Sequence, residues 1–269
     1  MALHRVLEEI VAAKRVEVRA AKAARPLREV TAQAEQAPPP RDFAAALCAP
    51  GVSLIAEIKR RSPSAGLIRP SFYPRRIARI YEAHGAAAVS VLTDERFFGG
   101  SLDVLRRVRT AVSLPLLRKD FILDRYQLHE ARAAGADAAL LIAEVLPPKR
   151  LAALLGEAWD LGLECLVEAH GVRAVRKAVD AGARVVGINN RDLRTFQTDL
   201  RTTERLVRHV PDDRLVVSES AVRAHADVER LGGWGADAVL VGEALMGERY
   251  IGRAVDRLLG RSPDGRHGK

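Results

Sequence analysis

The nine residues Ala134–Ile142, AGADAALLI, join a glycine to an apolar run, and the same construction recurs along the chain. HGAAAVSVL begins at His84, AGARVVGIN at Ala181 and WGADAVLVG at Trp234. Their glycines, Gly85, Gly135, Gly182 and Gly235, lie 50, 47 and 53 residues apart. Each closes a segment rich in Ala and Arg and opens an apolar run. Glycine is favoured just past the last turn of a helix because it enters the left-handed region without a Cβ penalty. The run after it has the length and composition of a strand buried on both faces. Each stretch therefore predicts the end of a helix and the start of a strand.

Halfway between the four repeats lie four more apolar runs: SLIAEIK from Ser53, LPLLRK from Leu114, LECLVEA from Leu163 and RLVVSES from Arg214. Eight short strands alternating with helices argue for parallel strands joined by helical crossovers. Eight such units suit a closed (β/α)8 TIM barrel of the α/β class. The structural rival is an open doubly wound sheet. Its commonest version is removed, because no G-x-G-x-x-G follows the first strand.

The flanks read differently. Leu3, Val6, Leu7, Ile10, Val11, Lys14 and Val18 recur at helical spacing and predict an amphipathic helix with a basic outer face. QAPPPRDF then breaks the pattern at Pro38, Pro39 and Pro40. The expected organisation is an N-terminal helical extension over residues 1–48, a catalytic barrel over 49–257 and a flexible, Gly-rich tail over 258–269.

Of the 269 residues, 48% are hydrophobic and 4% aromatic, so the core is expected to be aliphatic. A formal net charge of +9 favours an anionic partner, whether nucleic acid, acidic membrane or a phosphorylated or carboxylated small molecule. No apolar run approaches the ~20 residues that span a bilayer, and the charged N-terminus has no signal-peptide core. Cys165, inside an apolar run, reads as a buried free thiol, and Cys48 is distant from it. A reducing, cytoplasmic location is expected. The arginines are interspersed with carboxylates and no nucleic-acid motif is present, which argues against a specific nucleic-acid partner. His84, His129, His170 and His225 show no close ligand pairing, so no metal is expected; His170 reads as a surface residue or a support for the rim.

Chemistry collects at the strand ends. Glu57 and Lys59 end the first, Thr93, Asp94 and Glu95 the second, Lys119 and Asp120 the third, and Glu144 the fourth. Glu168 ends the fifth, Asn189, Asn190 and Arg191 the sixth, Glu219 and Ser220 the seventh, and Gly242 and Glu243 the eighth. In a barrel all eight ends share one rim, where the active site sits. Polar loop residues explain any single end. They do not explain Glu57 and Glu168, which sit inside apolar runs, where a carboxylate is costly unless paired or used. Glu57 and Lys59, two apart, share one side of their strand. SESA and VGEAL pass from a strand through small residues into a helix, a place where barrels hold phosphate, and Ser220 and Gly242 are the candidates.

The ordered motifs IAEIKRRSPSAG, SVLTDERFFGGS, LRKDFI, LVEAH, GINNRDL, VVSES and VLVGEALM, between about Val6 and Met246, closely resemble indole-3-glycerol phosphate synthase. The resemblance implies a barrel with its helical extension over the rim, and a role in tryptophan biosynthesis without metal or organic cofactor. The implied reaction closes the indole ring of 1-(2-carboxyphenylamino)-1-deoxyribulose 5-phosphate with loss of carbon dioxide and water. It implies Lys119 as general acid, a role that suits a lysine whose surroundings lower its pKa toward neutrality, and Lys59 as contact to the substrate carboxylate and a second acid. Glu57 would orient the lysines, Glu168 act as general base, Asn189 orient polar groups and Glu219 complete the rim. Ser62, Ser220, Gly242 and Glu243 match phosphate-binding positions, the last through its backbone. Arg191 matches an arginine near the substrate, and Phe98 and Phe121 match apolar residues flanking its ring. Relatives are often monomeric, so a monomer is expected.

Three positions depart from the family pattern. Ala65 stands where a lysine is common, Ala221 where glycine is usual and Ala169 where valine is common. Ala221 would strain its loop if that position needs a positive φ. Another phosphate-binding barrel, the isomerase of the preceding pathway step, would be expected to use a Cys–Asp pair; here the first strand ends in Glu57 and Lys59 without a cysteine.

Overall fold

The structure, a computed structural model, describes residues 5–192, 195 and 197–261. Leu3 and all of the expected tail beyond Arg261 lie outside these. Eight parallel strands form the centre: β1 (Ser53–Ile58), β2 (Ala88–Leu92), β3 (Leu116–Lys119), β4 (Ala138–Ile142), β5 (Glu164–Ala169), β6 (Val185–Asn189), β7 (Leu215–Glu219) and β8 (Ala238–Val241). Each falls in one of the eight apolar runs. The repeat glycines end their helices at φ of 84°, 86°, 91° and 101°, as helix-terminating residues do.

The sheet closes on itself. β1 pairs in parallel with β2 (Ile55 opposite Ala88) and with β8 (Ser53 opposite Ala238), which rules out the open sheet. Strand alternation separates two cores. Ile55, Ala88, Leu117, Leu140, Leu166, Val185, Val217 and Leu240 fill the barrel interior. Leu54, Val89, Leu116, Ala139, Val167, Val186, Val216 and Val239 face outward and pack beneath the helices. Two positions beyond the interior aliphatic layer stand Glu57, Lys119, Glu168 and Glu219, and on β6 Asn189 follows Gly187 on the same side. Period-2 alternation thus lifts a charged layer onto an apolar floor.

The extension contains α1 (Arg5–Ala24), α2 (Leu27–Gln36) and α3 (Phe43–Leu47). It does more than cover the rim. Val6, Leu7 and Ile10 of α1 reach the mouth of the barrel. α2 runs along the outer helix Arg125–Ala133, where Thr31 Oγ1 lies 3.1 Å from His129 Nδ1. At the opposite end Phe43 and Leu47 of α3 join the interior aliphatic layer and close its floor. Cys165 is buried, Cys48 is exposed, and both are free thiols. Among the described residues no helix is long and apolar enough to cross a membrane.

Candidate active site

The mouth of the barrel holds a cavity of about 510 Å³. All six candidate catalytic residues, Lys119, Lys59, Glu168, Glu57, Asn189 and Glu219, line it. So do Ser62, Phe98, Phe121, Arg191, Ser220, Gly242 and Glu243. Not every strand end contributes: Asp94 turns away beneath α1, and Glu144 stands behind the site.

Lys119 is its centre. Its Nζ lies 2.7 Å from Glu168 Oε2 and 3.1 Å from Glu219 Oε2. Glu57 Oε1 meets Lys59 Nζ at 2.8 Å. Two glycines make room for these acids: a Cβ on Gly187 would strike the Glu219 carboxylate, and one on Gly242 the Glu57 carboxylate. Asn189 donates from Nδ2 to Glu168 Oε1 at 3.1 Å and accepts the Arg191 backbone N–H at 3.0 Å. A single amide thus orients the acid and the start of the next loop.

Three carboxylates and two ammonium groups share this small volume, and their titration is divided. Burial alone would drive Lys119 toward its neutral form, but Glu168, Glu219 and Glu57 outweigh it and hold its pKa above the ordinary lysine value. The condition that suits a lysine acid, a pKa lowered toward neutrality, is not met by these side chains alone, because three acidic residues crowd one ammonium. Burial also penalises ionised Glu168, yet Lys119 and then His170 overcome it and keep Glu168 well below the usual carboxylate range. Glu219 goes the other way: burial, abetted by Glu168 and resisted by Lys119, pushes it up to about 8. Its Oε1 is buried and makes no hydrogen bond among the described residues. The pair has split into a carboxylate and a carboxyl group, as closely spaced acids do.

Of two supports, sequence reasoning gave His170 as a surface residue or a support for the rim and left Asn190 without a role of its own. His170 stands between Glu144 and Glu168, with Nδ1 3.3 Å from Glu144 Oε2 and Nε2 3.4 Å from Glu168 Oε1. Burial opposes its protonation, but the Glu144 and Glu168 carboxylates prevail and raise its pKa above the ordinary histidine value. Asn190 is buried and donates through Nδ2 to Ser218 Oγ and to the Glu219 and Ser220 carbonyls. Its Oδ1 accepts from the backbone N–H and hydroxyl of Thr203. The doubled Asn-Asn signal marked the place, but the four partners of Asn190, Ser218, Glu219, Ser220 and Thr203, lie on other elements.

Asn190 braces a strained turn. Ser220 and Ala221 have φ of 66° and 69°, the two positive-φ residues other than glycine among those described. Ala221 therefore occupies the conformation in which its methyl group is a burden. Facing this turn, Arg61–Ser62 pairs with Gly66–Leu67 in a short antiparallel ribbon, and Ser62 Oγ accepts the Ala65 N–H at 3.1 Å. The Glu243 side chain is exposed, and its carboxylate lies 3.7 Å from Arg191. Phe98 and Phe121 line the opposite wall, with ring centroids 6.1 Å apart and planes tilted by 36°.

The chain is similar to solved structures described as thiamine phosphate pyrophosphorylase from Pyrococcus furiosus and N-acetylmannosamine-6-phosphate 2-epimerase from Clostridium perfringens. The first has a TM-score of 0.60 at 17% identity, covering 78% of this chain and 94% of that one. The second has a TM-score of 0.58 at 15% identity, covering 71% and 86%. At these identities the likeness concerns the fold alone. Sequence relatives are far nearer. A protein of Rhodopirellula baltica named indole-3-glycerol phosphate synthase is 51% identical over 94% of this chain and 98% of its own length. One of the same name from Geobacillus thermodenitrificans is 47% identical over 95% and 97%. The family model described as indole-3-glycerol phosphate synthase matches residues 7–258. With the barrel, its charged mouth and this coverage in agreement, the chain belongs to the indole-3-glycerol phosphate synthase family, carboxy-lyases of tryptophan biosynthesis that act on a phosphorylated small molecule.

Proposed function

We propose that this site closes the indole ring with Lys119 as general acid, and that the clustering of Lys119 with Glu168 and Glu219 is the observation that carries the assignment. The substrate, 1-(2-carboxyphenylamino)-1-deoxyribulose 5-phosphate, has three parts with different needs. Its aromatic ring lies against Phe98 and Phe121, where a flat apolar surface is wanted. Its phosphate lies between Ser62 on one side and Ser220, Gly242 and the Glu243 backbone on the other. Its carboxylate pairs with Lys59, and Arg191 stands near the sugar chain.

In the first step the ring carbon bearing the carboxylate attacks the ketone carbon. Lys119 gives its proton to the ketone oxygen, which becomes a hydroxyl group. The C–CO2 bond then breaks, carbon dioxide leaves, and its electron pair returns to the ring system. In the last step the new hydroxyl leaves as water on taking a proton from Lys59, while Glu168 accepts the proton whose loss completes the indole. Glu57 orients Lys59, and Asn189 orients Glu168.

The raised pKa of Lys119 fits an acid that must arrive protonated. It weakens proton donation, so the carboxylates around it must be partly neutralised during the reaction. Glu219 already favours its protonated form, so the neutralisation falls to Glu168, the ionised acid that touches Lys119. A substrate carboxylate that draws Lys59 away from Glu57 changes the same balance. We further propose a monomeric enzyme of the cytoplasm without a specific nucleic-acid partner; the family membership supports this placement. The test is turnover of the named substrate, followed by indole fluorescence, in wild type and Lys119→Ala. Turnover in wild type and its loss in a folded variant is the expected result. A folded wild type that leaves the substrate unchanged would overturn the reading.

A further inference from the structure

We infer that Lys14, on the extension rather than the barrel, is a positioning residue that sets the aromatic wall of the substrate site. Lys14 is 1% exposed, as deeply buried as the interior aliphatic side chains. Its Nζ lies 3.0 Å from Asp94 Oδ2, 2.9 Å from Asp120 Oδ1 and 2.8 Å from Glu17 Oε2. The side chains of Asp94 and Asp120 are each 1% exposed, so both depend on protein partners for their charge. Asp120 also has Arg118, at 3.1 Å. Asp94 has no other cation within ion-pair distance among the described residues.

Each of these two carboxylates fixes the backbone of a segment that carries one ring of the aromatic wall. Asp94 Oδ1 accepts the Phe97 N–H at 2.8 Å and so caps the short helix Glu95–Phe98. Asp120 Oδ1 accepts the Phe121 N–H at 2.8 Å, directly after Lys119. One ammonium group thus fastens the loop after β2, which carries Phe98, to the loop after β3, which carries Phe121. It also ties both loops to α1, whose Ile10 and Leu7 line the same cavity about one and two turns earlier. Among the described residues no hydrogen bond or ion pair joins Ser220 or Gly242, the proposed phosphate end, to Lys14, Asp94 or Asp120.

Removing the charge strands Asp94 in a buried place. The carboxylate must then take up a proton or turn toward water, and its cap on the Phe98 helix loosens with it. The consequence is local: the ring loses its wall while the phosphate keeps its turn. That the ring end is the aromatic wall rests on the proposed function, so two measurements separate the claims. Wild-type turnover tests the function. The ratio of substrate KM to the inhibition constant of inorganic phosphate tests Lys14.

In Lys14→Met, KM is expected to rise about tenfold while kcat falls less than about threefold. Inhibition by inorganic phosphate should stay within about twofold of wild type, because its contacts are untouched. Asp94→Asn, which retains the shape and capping ability of the side chain but not its charge, should show the same split at smaller size and guards against misfolding of the first variant. A purely structural role would instead lower the melting temperature and kcat and leave the ratio of KM to phosphate inhibition unchanged. That result in either variant, or an unchanged KM in both, overturns the inference.

Discussion

Arg118 and Lys119 are neighbours on β3, and they face opposite charged networks. On the outer face, Arg118 gives Nε to Thr93 at 3.2 Å, Nη2 to Asp120 at 3.1 Å and Nη1 to the Gln127 carbonyl, with Glu130 at 3.6 Å. Around Arg118 and Lys14 each cation is bonded and each acid has a cation beside it. On the inner face Lys119 is outnumbered by carboxylates, one of which retains a proton and one oxygen of which lacks a partner. The outer network is closed, the inner one is left open. The difference teaches where chemistry is stored: a saturated network resists change, whereas a frustrated one can accept a substrate and give up a proton.

Breaking the open network should cost rate above all. Lys119→Met is expected to lower kcat by about a thousandfold or more, within the range for loss of a general acid, while circular dichroism shows the barrel intact. A loss of less than about tenfold would move the acid role to Lys59. Breaking the closed network should cost stability. Arg118→Leu leaves buried Asp120 and Glu130 short of a cation and is expected to lower the unfolding free energy by about 3–5 kcal/mol, read by urea denaturation. The folded fraction should retain turnover. If Arg118→Leu instead abolished activity at full stability, the two faces would not be separate in function.

A subtler contrast lies in pH. Glu219 has an ordinary carboxylate pKa when unfolded and one near 8 when folded. The folded state binds the extra proton, so the contribution is complete below the unfolded value and is lost as pH rises toward 8. Glu168 has the opposite sign, contributing above the ordinary carboxylate pKa and losing its contribution in acid. Glu219→Gln should therefore gain on wild type in urea midpoint from pH 5 to pH 8. Parallel curves would show that Glu219 ionises like a solvated acid. The smallest effect belongs to the strained turn. Ala221→Gly relieves a left-handed alanine and should raise the unfolding free energy by about 1 kcal/mol, reduced by the greater flexibility of unfolded glycine. A loss of stability would mean that the methyl group packs usefully despite its conformation.

The strands were legible because each one announces itself locally, in a glycine, an apolar run and a charge at its end. The inward carboxylates were legible for the same reason: Glu57 and Glu168 interrupt runs that should have been uniform. Lys14 was half legible. Its spacing with Leu7, Ile10 and Val18 placed it on the apolar face, yet its charge suggested solvent, and its buried partners Asp94 and Asp120 lie at the ends of distant strands. The division of protons between Glu168 and Glu219 was hidden because it depends on how many charges meet across strands. The turn at Ser220 and Ala221 was half legible: alanine in a usual glycine position raised the question of a positive φ, and only the backbone, at 66° and 69°, answers it. The path of the extension was also hidden, since only the packing of Phe43 and Leu47 reveals that it reaches the floor.

That path has a consequence for how the polypeptide comes into being. The first helix leaves the ribosome before any of its partners exist. Tyr126, whose hydroxyl donates to the carbonyls of Ala21 and Arg25 at 3.1 and 3.0 Å, is synthesised about a hundred residues later, as is Asp120. At ordinary elongation rates of about 5–20 residues per second, α1 waits for several seconds with its apolar stripe uncovered. A nascent chain is thus vulnerable at α1 until β3 and the helix after it have been made, and the helix that finishes the mouth of the barrel is a part of the molecule that a holding chaperone would have reason to shield.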